Sequence, residues 1–135
     1  FKYYSLSAEE KLKLLNQLRE ELQSVDDVLF AYIHGGFVDR DAFRDLDVAL
    51  WIGDVEKAFY YTVDFSAGLS VVLEFPIDVQ VLNGAPLPFQ YRVLTKGKLL
   101  LSKDDELRFR VIDGVVRKYL DFKLLNEWSR ETGRL

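Results

Sequence analysis

The sequence predicts an α/β fold: a mixed β-sheet with helices packed mainly on one face and a long C-terminal helix. Three observations predict it. Short β-branched and aromatic runs of strand length alternate with segments whose apolar residues recur at helical spacing. Gly, Pro and Asp punctuate the transitions between them. From about Asp105 to Glu131 a single helical pattern runs without a break.

Taken in order, Ser7 and Glu10 form a capping-box pair, and Leu12, Leu15, Leu18 and Leu22 follow at helical spacing, which predicts a helix over Ala8 to Gln23. Val28 to Ile33 suits a buried strand ending at Gly35-Gly36, and a loop or short helix follows. Leu46 to Ile52 resumes the strand signal, and Gly53-Asp54 supplies a break and an N-cap. Val55, Phe59, Val63 and Ala67 then recur every four residues, which predicts a helix to about Gly68 with that stripe against the sheet and the aromatics Phe59-Tyr60-Tyr61 in core and flank. Val71 to Phe75 fits helix or strand equally. Ile77, Val79 and Val81 alternate with Asp78 and Gln80, the period-2 pattern of a strand beginning after Pro76. A short helix over Pro86 to Thr95 and a strand over Lys98 to Leu101 lead to Ser102, a candidate N-cap.

The last helix carries two apolar stripes, one through Leu107, Val111, Val115, Tyr119 and Phe122, the other through Phe109, Ile112, Val116, Leu120 and Leu124. Two stripes exceed what one sheet face needs, so the helix either lies wedged between elements or meets another chain in a homo- or hetero-oligomer. Gly114 in its middle calls for close backbone packing as compensation.

With 135 residues and 15.7 kDa, the chain is read as one domain over 1–135. No apolar run approaches the ~20 residues of a bilayer span, so the expectation is a cytoplasmic protein with no membrane partner. A net charge of -4 and a pI near 5.0 argue against a long nucleic acid as direct partner. With no cysteine and one histidine, metal ligands must be mainly carboxylates, and oxygen donors favour Mg²⁺ or Mn²⁺ over Zn²⁺.

The chemistry concentrates between His34 and Leu50. If the strands from Leu46 and Ile77 lie side by side, Asp45 and Asp47 share a face with Asp78. Three converging carboxylates repel one another unless cations sit among them. Two divalent ions ~3.5–4 Å apart clamp the attacking and leaving oxygens of a phosphoryl or nucleotidyl transfer. Asp45 and Asp47 would hold the nucleotide-bound metal, while Asp78 would help hold the second and accept the nucleophile's proton. Gly35 and Gly36 offer backbone N–H groups to a triphosphate, and the loop residues Arg40 and Arg44 can fork onto phosphate oxygens.

Gly35-Gly36, Asp45-Leu46-Asp47 and the later Asp78 together resemble the signature of the DNA polymerase β-like nucleotidyltransferases in their minimal form. Val81-Leu82-Asn83, Tyr91-Arg92-Val93-Leu94, Gly97-Lys98-Leu99-Leu100 and Tyr119-Leu120-Asp121-Phe122 extend the likeness to small MntA-type adenylyltransferase antitoxins, over about Glu9 to Phe122. The resemblance implies the minimal nucleotidyltransferase fold, two Mg²⁺ ions, ATP as substrate, and AMP transfer to a tyrosine of a HEPN-type RNase toxin. Gly36 stands where the family has Ser, which removes a hydroxyl from the phosphate end. The loop to Asp45 is also shorter than the family's, so neither Arg40 nor Arg44 aligns uniquely with its loop arginine.

Each feature has a plainer reading beside this one. An Asp pair at a strand entry or a Gly pair in a turn is common without function, and only their order with Asp78 favours a site. His34 is read as a strand-end residue satisfied locally, Lys96 and Lys98 as a solvated turn, and both are left out of the site. Arg40 and Arg44 suit surface ion pairs as well as phosphates. The rival function from another class is an antitoxin that neutralises its partner by masking, without turnover. A transferase acting on a small molecule lacks an evident acceptor domain in so short a chain.

Overall fold

The computed structural model describes residues 2–132. Helix α1 (Ala8–Gln23) opens with the expected capping box: Ser7 Oγ accepts from Glu10 N at 3.1 Å, and Glu10 Oε1 accepts from Ser7 N at 2.9 Å. Its buried face is Leu14, Leu18 and Leu22, with Leu15 partly covered, whereas Leu12 points outward. The expected stripe of Leu12, Leu15, Leu18 and Leu22 is corrected at one end, where Leu14 packs in place of Leu12.

Strands β1 (Val28–His34), β2 (Leu46–Ile52), β3 (Ile77–Val81) and β4 (Lys98–Ser102) form one sheet in the order β3-β2-β1-β4. β1 is antiparallel to β2 and β4, and β2 is parallel to β3, so the sheet is mixed as expected. The short helix α2 (Gly36–Asp39) fills the connection after the glycines. Central strands buried on both faces must be apolar throughout, which is why Val28–Ile33 and Leu46–Ile52 read as continuous runs.

After β2, Asp54 caps a 3₁₀ turn (Val55–Lys57), and α3 (Ala58–Tyr60), a π-helical turn (Tyr61–Phe65) and α4 (Ser66–Leu73) continue as one rod over 58–73. This corrects the expected orientation. The stripe of Val55, Phe59 and Val63 is solvent-exposed, with Phe59 at 75%, and Tyr61, Ser66 and Leu69 face the core instead. Polar anchors decide the rotation. Tyr61 donates to Asp27 Oδ2 at 3.0 Å, and Ser66 Oγ donates to Ile77 O at 2.9 Å while accepting from Val79 N at 3.1 Å. With Ser70 Oγ accepting from Ile77 N at 2.9 Å, these hydroxyls satisfy backbone groups on the outer edge of β3, which lacks a further strand. Of the three successive aromatics, Tyr61 alone is core.

The larger hydrophobic cluster lies between the sheet, α1 and the 58–73 rod. A smaller cluster on the other face joins Phe30, Tyr32 and Ala49 to Val93 and Leu94 of α5 (Leu87–Lys96) and Val115 of α6 (Asp105–Thr132). α6 is held by Arg108 Nη1 donating to Tyr32 Oη at 3.0 Å and by the stacked rings of Tyr91 and Tyr119, 3.8 Å between centroids. It is not wedged: Phe109, Leu120, Phe122, Leu124 and Leu125 are exposed. Two further expectations change. Asp104 rather than Ser102 caps α6, its Oδ1 accepting from Leu107 N at 3.0 Å, and a Cβ at Gly114 would meet no neighbouring atom within 4 Å. Among the described residues no helix is long and apolar enough to cross a membrane.

Candidate active site

β2 and β3 run parallel with Asp47 in register opposite Asp78, so the assumption that these strands are neighbours holds. Asp45 precedes β2 by one residue. One oxygen from each of Asp45, Asp47 and Asp78 lies within 4.8 Å of the other two. Asp78 is exposed, whereas Asp45 and Asp47 are partly buried. Burial, then the charge of Asp45, pushes the Asp47 carboxyl up to about 6. Burial and the charge of Asp78 raise Asp45, against the opposing pull of the Arg44 guanidinium. The cause is simple: carboxylates brought together out of water lose solvation and repel.

Gly35 adopts φ +79°, and a Cβ there would run into Asp47 Oδ2, so this position requires glycine. Its carbonyl accepts from Val38 N and Asp39 N at 3.0 and 3.1 Å, closing α2. A Cβ at Gly36 would sit 3.3 Å from Phe43 Cβ, a tight fit that explains how this chain accommodates Gly there.

Beside the carboxylates is a cleft of about 320 Å³ lined by His34, Gly35, Val38, Asp47, Arg92 and Lys96, among others. Arg92 and Lys96 are therefore the cations the fold brings to it, carried in by α5. Arg40 follows α2 and is exposed, while Arg44 lies close enough to Asp45 to act on its charge. Neither lines the cleft.

Gln80, the polar half of the strand's alternation, ties the site together. Its Nε2 donates to Asp47 Oδ1 at 3.1 Å and to Asp78 Oδ2 at 2.9 Å. Its Oε1 lies 2.7 Å from His34 Nε2 and accepts that proton, because the two carboxylates fix the amide's orientation. Phe89 packs edge-on against the His34 ring, 5.5 Å between centroids. The period-2 pattern did carry the signal for Gln80, since it shares a strand face with Asp78. Arg92 had no comparable local signal.

An all-oxygen donor set of three close carboxylates fits a hard divalent cation. Such a trio beside a glycine turn, on neighbouring strands of an α/β sheet, is the equipment of enzymes that transfer phosphoryl or nucleotidyl groups. The family model "Polymerase beta, Nucleotidyltransferase" matches residues 16–106, more than half of the chain, and the chain belongs to that family. In fold it resembles the MntA type. A crystal structure of the toxin–antitoxin MntA–HepT matches with a TM-score of 0.70 and 16% identity over 90% of this chain and 97% of that one. A tri-AMPylated Shewanella oneidensis HEPN toxin in complex with MNT antitoxin gives 0.66 and 15%, covering 90% and 97%. A toxin–antitoxin structure with AMP-PNP gives 0.63 and 17%, covering 93% and 98%. No curated protein matches the sequence at a significant level.

Proposed function

We propose that this chain is a Mg²⁺-dependent adenylyltransferase that moves AMP from ATP to a tyrosine hydroxyl of a HEPN-type RNase toxin, and thereby acts as its antitoxin. The observation that carries the reading is the convergence of Asp45, Asp47 and Asp78 within 4.8 Å. Support comes from the family and from structural relatives described as a MNT antitoxin with a tri-AMPylated HEPN toxin and as a toxin–antitoxin with AMP-PNP.

Asp45, Asp47 and Asp78 would hold Mg²⁺, which when bound supplies charge stabilisation to the transferring phosphoryl group. Gly35 and Gly36 present backbone N–H groups to the phosphates, and Arg92 and Lys96 add positive charge along the same cleft. Arg40 and Arg44 remain candidates for the outer phosphates. Asp78 would take the proton of the attacking hydroxyl. The tyrosine oxygen forms a bond to the α-phosphorus, the bond from that phosphorus to the pyrophosphate oxygen breaks, and pyrophosphate leaves with the electron pair. Gln80, itself bonded to His34, holds Asp47 and Asp78 in orientation.

Incubation of the purified chain with ATP, Mg²⁺ and a HEPN-type partner should add AMP to that partner, read by intact mass. A partner of unchanged mass would sink this reading. Masking without turnover has its own observation, the exposed Leu120, Leu124 and Leu125 on α6. Asp47→Asn separates the two: neutralisation is lost if chemistry is needed and kept if masking suffices.

A further inference from the structure

A second groove of about 540 Å³ is lined in part by Phe59, Thr62, Gln80, Val81, Pro86 and Phe89. Gln80 belongs both to this groove and to the hydrogen-bonded carboxylates, and Phe89 belongs both to the groove and to the packing of His34. The groove therefore reaches the side chain that holds Asp78, Gln80 Nε2 lying 2.9 Å from Asp78 Oδ2. Its lining contains no charged residue, in contrast to the cleft that holds Arg92 and Lys96.

Its polar side chains are already committed elsewhere. Thr62 donates to Phe59 O at 3.2 Å, Asn83 exchanges hydrogen bonds of 2.8 and 2.9 Å with the backbone of Ile52, and Gln80 is held by His34, Asp47 and Asp78. A cationic amine entering here would lose water and meet no carboxylate in the lining. An aromatic ring has apolar faces to bury, and a single hydroxyl at its tip would be delivered to Asp78. Beyond the groove, the apolar surface continues. Phe59 is the groove's most exposed aromatic, Val55 and Val63 flank it at four-residue spacing, and Val71 further along the same rod is 77% exposed. A small-molecule acceptor has no use for such a stripe, whereas a protein acceptor does.

We infer that this groove is the acceptor site: the partner's tyrosine ring enters between Phe59 and Phe89, and the partner's surface lies along Val55, Phe59, Val63 and Val71. The inference rests on the transfer proposed above. The tyrosine oxygen bonds the α-phosphorus and so gains the adenylyl group of ATP, its proton passes to Asp78, and pyrophosphate departs through the cationic cleft as its bond to the α-phosphorus breaks.

The test uses Phe59→Ser and, independently, Val63→Ser, both at exposed positions where melting should match the parent chain. With a HEPN-type protein as acceptor, each variant should raise the KM for that protein at least tenfold and leave the KM for ATP within twofold. Unchanged acceptor KM overturns the inference, and a raised KM for ATP instead would make the groove a base site and overturn it equally. If the parent chain transfers no AMP at all, the transfer reading fails by itself. Calorimetric affinity for the same protein then judges the groove: a tenfold loss in both variants upholds it, and parental affinity in the variants, or no binding by the parent, overturns it.

Discussion

Asp47 lies where burial, a neighbouring carboxylate and a hydrogen bond act on one group. Its carboxyl is raised from 3.8 to about 6, so between those values the folded chain holds a proton that the unfolded chain has released. Stability in the presence of chelator should accordingly fall as pH rises through that interval and level off above it. Thermal melts across the interval should show this slope, and Asp47→Asn should flatten it. A slope unaffected by that change would assign the effect to other carboxylates. Since a cation binds the ionised form, Mg²⁺ affinity should rise over the same range.

Gln80 is the residue that local reading undervalued. By taking one oxygen from each of Asp47 and Asp78, it orients both carboxylates, the role that outer hydrogen bonds play around metal ligands. Gln80→Met keeps length and removes the amide. Mn²⁺ affinity followed by electron paramagnetic resonance should drop on the order of tenfold. An affinity equal to that of the parent would reduce Gln80 to a groove-lining residue.

At the scale of elements, the two strand aspartates are placed by β2 and β3 in register, and the turn before α2 by the left-handed Gly35. The rod over 58–73 shows how a clear pattern misleads: its apolar stripe is coherent but faces outward, because the hydroxyls of Tyr61, Ser66 and Ser70 tether the opposite side. Buried polar satisfaction outweighed the gain from covering valines, which is reasonable when each orphaned backbone group costs about 1–3 kcal/mol. In α6, Gly114 has open space around it, so the reason expected for its presence does not hold. Gly114→Ala should stabilise the chain by roughly 0.5–1 kcal/mol in urea denaturation. Destabilisation would reveal a contact made at that glycine in an assembly.

At the scale of the whole molecule, the carboxylates and the cationic cleft lie on the sheet face that α5 and α6 cover, and α6 continues past Tyr119 with apolar side chains outward. Leu124 and Leu125 are 68% and 60% exposed, so Leu124→Glu with Leu125→Glu should change stability by no more than about 0.5 kcal/mol. The same double variant should bind a HEPN-type partner more weakly by calorimetry if α6 docks on it. Parental affinity would remove α6 as the masking surface.

The sequence alone determined the strands, because central strands buried on both faces must be apolar runs, and it determined the order of Gly35-Gly36, Asp45, Asp47 and Asp78. Strand alternation likewise placed Asp78 and Gln80 on one face, although the second of these went unread. Only the tertiary structure decided which helix face is buried, which cations line the cleft beside the carboxylates, and what adjoins the acidic edge. Those outcomes depend on partners distant in the chain: Arg92 arrives with α5, and Ser66 turns its helix by bonding Ile77 and Val79. A local period reports that a face exists, and long-range hydrogen bonds choose where it points.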